Sequence, residues 1–216
     1  MVVELFEHDL PDKLLDYFSS QEFLGIDTET TSLSPLKGKL TLFQVSDATG
    51  ETISLVQRPT NESKNIISLM QNNQVMKIFH YARFDLGFIK QHLQCEVNNF
   101  FCTRILSKVV MPDESAKLKD LLLRFFNVEL DKSLRLSFGA GNPDWNGILS
   151  EEQKQYASLD VKYLFALKQE LEKLATLQQL QIINQALERT KEIVDVDLRG
   201  VVPSTDFAGI TNLLGH

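Results

Sequence analysis

Hydrophobic and polar positions alternate along Val2–Glu7, which predicts a short edge strand. Asp9 then stands where a helix cap would, with Pro11 in the first turn and Leu14, Leu15 and Phe18 carrying the apolar stripe to about Ser20. An apolar run rich in strand formers follows at Phe23–Thr30, then a turn at Ser32–Lys39 with Pro35 and Gly38. Leu40–Ser46 and Glu51–Val56 read as strands joined by the hairpin turn Asp47-Ala48-Thr49-Gly50, so three consecutive strands predict an antiparallel meander.

Beyond this point the period changes. Asn61 is placed to cap a helix carrying Ile66, Ile67, Leu69 and Met70. Val75–His80 reads as a short buried strand, Phe84–Leu93 as a helix, Val97–Phe101 as a strand, and Thr103–Val110 and Ala116–Phe126 as helices. Asp131–Gly147 is loop-rich. Ser150 and Gln153 form a capping box for a helix whose stripe runs from Tyr156 to Leu174, about six turns. A last helix is expected over Gln178–Val194, followed by an irregular tail. Strands first and α/β alternation afterwards predict an α/β fold, a mixed sheet with an antiparallel meander and parallel strands flanked by helices. No repeat or linker divides the chain, so the expectation is one domain over 1–194 with a C-terminal tail over 195–216 packed on it or on a neighbouring subunit.

Composition adds bounds. The 216 residues are 43% hydrophobic with 14 Phe, an ordinary globular make-up, and no apolar run is long enough for a membrane span. The N-terminus has no signal-peptide pattern, and two cysteines, Cys95 and Cys102, suit a reducing compartment, so a cytoplasmic protein is expected. A net charge of −7 argues against a basic surface that coats long nucleic acid, but not against a nucleotide substrate held through metal ions.

Candidate chemistry starts at Asp27-Thr28-Glu29, where the strand alternation puts both carboxylates on one face. Side by side at a strand end they repel, and a hard divalent cation relieves that. An Asp-x-Glu arises about once by chance in such a chain, so other acids must join it. Asp85 opens a helix, where on position alone it reads equally as a cap. Tyr156 and Asp160 share a helical face at i and i+4. Four converging carboxylates would hold two cations about 3.5–4 Å apart, an arrangement suited to in-line attack on a phosphodiester. Tyr156, a poor base at neutral pH, would orient the attacking water.

Asp-Thr-Glu on a strand, Phe84-Asp85-Leu86 at a helix start and Tyr156-x-x-x-Asp160 resemble the three exonuclease motifs of the DEDD superfamily, tyrosine subclass. The stretches Leu42-Phe43-Gln44-Val45, Leu118-Lys119-Asp120-Leu121 and Asp144-Trp145 are similar to ribonuclease D, while Lys77–Asp85, Cys102-Thr103-Arg104-Ile105 and the region of Asp197–Gly200 resemble the compact bacterial nano-RNase C type. The resemblance implies a ribonuclease H-like fold and 3′-to-5′ release of nucleoside monophosphates from short single-stranded oligoribonucleotides, down to dinucleotides. It also implies two Mg²⁺ or Mn²⁺ ions on Asp27, Glu29, Asp85 and Asp160, and a homo-octamer. Leu134–Gly147 looks longer and richer in glycine than the matching loop of that group.

Beside the motifs, Thr28 and Leu33 are candidates to line the nucleobase pocket, and His80 and Arg83 to contact a phosphate. Each has an ordinary structural reading as well: core residues for the first two, a satisfied buried His and an Arg paired with an acid for the others. Lys119, Lys132 and Trp145 are further substrate candidates, with a solvated face or a loop anchor as the commoner role. Two other function classes compete: a broader ribonuclease D-like trimmer of structured RNA or of DNA, and a non-catalytic nuclease-like scaffold.

Overall fold

The computed structural model describes residues 1–130 and 149–200. Its strands are β1 (Val2–Glu7), β2 (Phe23–Thr30), β3 (Leu40–Asp47), β4 (Thr52–Gln57), β5 (Met76–Phe79) and β6 (Phe100–Cys102). Its helices are α1 (Asp12–Ser19), α2 (Lys64–Gln71), α3 (Ala82–Leu93), α4 (Thr103–Val110), α5 (Leu118–Phe126), α6 (Glu151–Lys162), α7 (Leu164–Glu172) and α8 (Leu177–Leu198). The strands form one sheet in the order β1-β4-β3-β2-β5-β6. The meander β2-β3-β4 is antiparallel as expected, whereas β1, β5 and β6 each join parallel to their neighbours. This is the mixed, ribonuclease H-like sheet that the resemblance implied.

The two faces of the sheet differ. One carries the main core, where Leu24, Ile26, Phe43 and Val45 meet Phe88, Leu106, Leu167 and Ile183 at no exposure. The other is a smaller cluster in which Leu42, Ile53 and Leu55 pack on Tyr156, Ala157 and Val161 of α6. Cys95 and Cys102 are both buried free thiols.

Several local readings change. Pro11, not Asp9, precedes α1; the Asp9 carboxylate instead accepts the N–H groups of Asn65 (2.9 Å) and Ile66 (3.0 Å), capping α2 from across the fold. α2 therefore opens after Ser63 rather than at Asn61. The long helix expected from Ser150 is two, α6 and α7, broken at Tyr163, whose backbone (φ −102°, ψ 3°) leaves the helical region. Its capping box at Ser150 and Gln153 is present. The strand expected at Val97–Phe101 is only Phe100–Cys102. The last helix continues to Leu198, past the expected end at Val194. Lys132, Trp145 and the loop Leu134–Gly147 lie outside the described residues, as does the tail from residue 201.

Candidate active site

Two glycines decide how α6 meets the sheet. A Cβ on Gly25 would lie 2.5 Å from the Val161 carbonyl oxygen, so only glycine lets the helix backbone rest on β2. One residue further along the helix Gly50, with φ +70°, leaves room for the Lys162 backbone and stem. Seated this way, α6 carries Asp160 over the strand that presents Asp27 and Glu29. Ligand oxygens of these three residues lie within 4.8 Å of one another. Asp160 is buried and the other two half-buried. Their donor set is oxygen only, which suits a hard divalent cation rather than a soft one.

Asp85 reaches the site from the other side of β2. It is 2% exposed, and Thr28, whose side chain alternates to that face, donates its hydroxyl to Asp85 Oδ1 at 2.7 Å. Burial pushes the Asp85 carboxyl up to about 7, with the Asp160 charge acting in the same direction and the Thr28 hydroxyl opposing it. Three of the four expected acids thus form one cluster, and the fourth stands beside it within reach of its field. Tyr156, one helical turn before Asp160, is buried at 5% exposure against Leu42 and Leu55.

The expected substrate residues divide. Leu33, on the loop after β2, is 78% exposed, an apolar side chain held out in solvent. Its loop is braced on α3, where Gly87 leaves space for Pro35. Thr28 is occupied by Asp85. His80 lies between Thr103 Oγ1 (2.8 Å) and the Ala116 carbonyl, which accepts from Nε2 at 2.9 Å. Arg83 donates to both oxygens of Asp197 on α8, each at 2.8 Å. His80 and Arg83 therefore have the satisfied structural partners that the sequence equally allowed. Lys119 is exposed on α5.

A cationic cleft escaped the sequence reading. Arg104 and Lys108 on α4, with Lys117, line a space of about 400 Å³ that also contains Glu114 and Ser115. The Arg104 guanidinium lies over the Tyr81 ring, 4.9 Å from its centre, and its buried Nε has no hydrogen-bond partner among the described residues. Burial and the Arg104 charge hold the Lys108 amine below its ordinary range. Tyr81 itself, just before α3, has φ +127°, a strained conformation for a side-chain-bearing residue. The signal available in the sequence was two cations one helical turn apart, at Arg104 and Lys108, which alone reads as a solvated face.

A family model described as a 3′-5′ exonuclease matches residues 4–176. Ribonuclease D of Haemophilus influenzae is 33% identical over 152 residues, which are 69% of this chain but 36% of that protein. Ribonuclease D of Bartonella henselae is 31% identical over 161 residues, covering 71% and 38%. The chain thus spans little more than a third of the curated relatives it matches. Among solved structures, Brucella melitensis NrnC is 28% identical over 93% of this chain and 95% of that one, with a TM-score of 0.81. The same protein has been solved with bound Mg²⁺ and bound to pGG, at TM-scores of 0.80 and 0.79. Escherichia coli RNase D, at 19% identity and a TM-score of 0.63, shares the fold.

Proposed function

The chain belongs to the 3′-5′ exonuclease family, in its ribonuclease D-like, divalent-metal-using branch, and on that premise we propose that it is an exoribonuclease of short oligoribonucleotides, active down to dinucleotides. The observation that carries the reading is the convergence of Asp27, Glu29 and Asp160 within 4.8 Å, with Asp85 beside them. A scaffold would gain nothing from a partly buried cluster of like charges, which costs stability wherever no cation is bound.

The four carboxylates would hold two Mg²⁺ or Mn²⁺ ions. When bound, the ions supply Lewis-acid activation of water and neutralise charge at the scissile phosphodiester. The protein's own part is placement. Gly25 seats α6, and with it Asp160. The Thr28 hydroxyl fixes the rotamer of Asp85. Tyr156 orients the attacking water through its hydroxyl, and the attack releases a nucleoside 5′-monophosphate. Leu33 offers an apolar surface to a base next to the scissile bond, and Arg104, Lys108 and Lys117 give an acidic chain a local cationic wall for phosphates. His80 and Arg83 act on substrate through the backbone they hold, between β5 and the start of α3.

Short substrates fit a chain with net charge −7 better than long ones, because a few phosphates near the metal site are attracted while the rest of the surface repels. Homo-oligomerisation, as an octamer by resemblance, belongs to the same reading. The exposed apolar side chains Leu174, Leu177 and Ile182 around the start of α8 give a second copy a surface to cover. The identity to ribonuclease D favours one other reading, trimming of longer RNA or DNA.

One experiment separates these. End-labelled RNA from two nucleotides upward, and DNA of matching lengths, are incubated with the pure protein in Mg²⁺ or EDTA. Monophosphate release fastest on the shortest RNA, and only with the cation, is expected. Equal rates on long RNA select the broader trimmer, and no hydrolysis at any length removes the enzyme reading.

A further inference from the structure

Gln44 lies on β3 at no exposure, and among the described residues neither its Nε2 nor its Oε1 has a hydrogen-bond partner. Burying both a donor and an acceptor without partners is unfavourable, and an aliphatic side chain would fill the space without that cost. Its position is informative. Across the β2–β3 ladder Gln44 pairs with Asp27, and across β3–β4 with Leu55. Directly paired residues in an antiparallel sheet point to the same face, with Cβ atoms about 5 Å apart. That face is the one covered by α6, since Leu42 and Leu55 on either side of Gln44 pack against Tyr156, Ala157 and Val161. The amide is therefore enclosed under α6, next to the carboxylate of Asp27. Glu29, by contrast, pairs with Leu42, which has no donor to offer.

We infer that Gln44 is a positioning residue for the cation site: its amide N–H donates to the Asp27 carboxylate when a divalent cation draws Asp27 into its ligating rotamer. One Asp27 oxygen would then face the cation and the other the amide. Groups that orient a metal ligand in this way typically govern affinity by 10–100-fold. The inference rests on the reading of Asp27 as a metal ligand.

The test is Mn²⁺ titration calorimetry and thermal unfolding of the whole protein, the parent beside Gln44→Met and the smaller Gln44→Leu. The apolar variants are expected to unfold in EDTA at the parent's temperature or higher, because the unmatched amide is gone. Their Kd for Mn²⁺ should rise about 10–100-fold, with a smaller gain in melting temperature on adding Mn²⁺. Gln44→Asn, which keeps the amide one methylene shorter, should recover part of the loss. A folded Gln44→Met or Gln44→Leu protein that binds Mn²⁺ within twofold of the parent overturns the inference. So does a fall in melting temperature that is the same in EDTA and in Mn²⁺, the mark of a purely structural role. A parent that takes up no Mn²⁺ overturns the cation-site reading as well, so the two failures are told apart.

Discussion

Gly25→Ala tests whether the active site depends on how closely α6 lies on the sheet. The added methyl would start 2.5 Å from the Val161 carbonyl oxygen, and Cβ contacts below 3.0 Å essentially do not occur, so helix and strand must separate by at least about 0.5 Å. The obstacle is backbone on both sides, and no side chain can rotate away. Val161 directly follows Asp160, so the displacement reaches the carboxylate that completes the cluster with Asp27 and Glu29. Overpacking of this kind costs roughly 1–3 kcal/mol. For a chain of this size that lowers the melting temperature by roughly 3–10 °C. Catalysis should suffer more than stability, since a misplacement near 1 Å costs about 10²-fold. The assay is steady-state release of monophosphate from a dinucleotide in saturating Mg²⁺, with circular dichroism to confirm folding. Folded Gly25→Ala with kcat within threefold of the parent would refute the argument.

Three further outcomes follow from the site. Asp27→Asn should abolish turnover yet melt in EDTA at the parent's temperature or above, because one member of a like-charge cluster is neutralised; near-native activity in Mg²⁺ would count against the metal assignment. Tyr156→Phe keeps the ring against Leu42 and Leu55 and should lower kcat by roughly 10²–10³-fold with Mn²⁺ affinity unchanged, whereas a collapse of Mn²⁺ binding by calorimetry would make the hydroxyl part of the metal site. In EDTA, Asp85 binds its proton up to about pH 7 when folded against an ordinary 3.8, so its stabilising share is complete below about pH 4 and is lost as pH rises through 7. The melting temperature should therefore fall from pH 5 to 7.5 and fall less in Asp85→Asn. That window stays below the rise expected from Lys77, whose buried amine is lowered to about 8, so that folding is favoured as pH climbs from there toward 10.5.

What the sequence revealed and what it hid divide along the range of the interactions. β2, β3 and β4 declared themselves because alternation is local, and the Asp27/Glu29 pair needed only the two-residue period to be placed on one face. The cap of α2 was misread because Asn61 sits at the expected local spacing, while the group that does the work, Asp9, arrives from 56 residues away in sequence. The break at Tyr163 was invisible for a similar reason. Lys162, Tyr163 and Leu164 are unremarkable helix residues, and the interruption falls where Lys162 abuts Gly50 and Leu164 meets Gly25. Gln44 was hidden by its surroundings: within Leu42-Phe43-Gln44-Val45 it reads as one polar residue in a strand, and only the register places it opposite Asp27.

The partnership between α3 and α8 also bears on where the working unit ends. The match to the family model stops at residue 176, one residue before α8 begins. Beyond it α8 returns across α3, where Asp197 grips Arg83 bidentately and Asp195 holds Lys90. Arg83 stands two residues before Asp85, so the last turns of α8 splint the helix that delivers the fourth carboxylate. A protein ended at Val194 would keep every motif residue and lose both splints. Its catalytic groups would all be present, but α3 would be tied to α8 by neither ion pair.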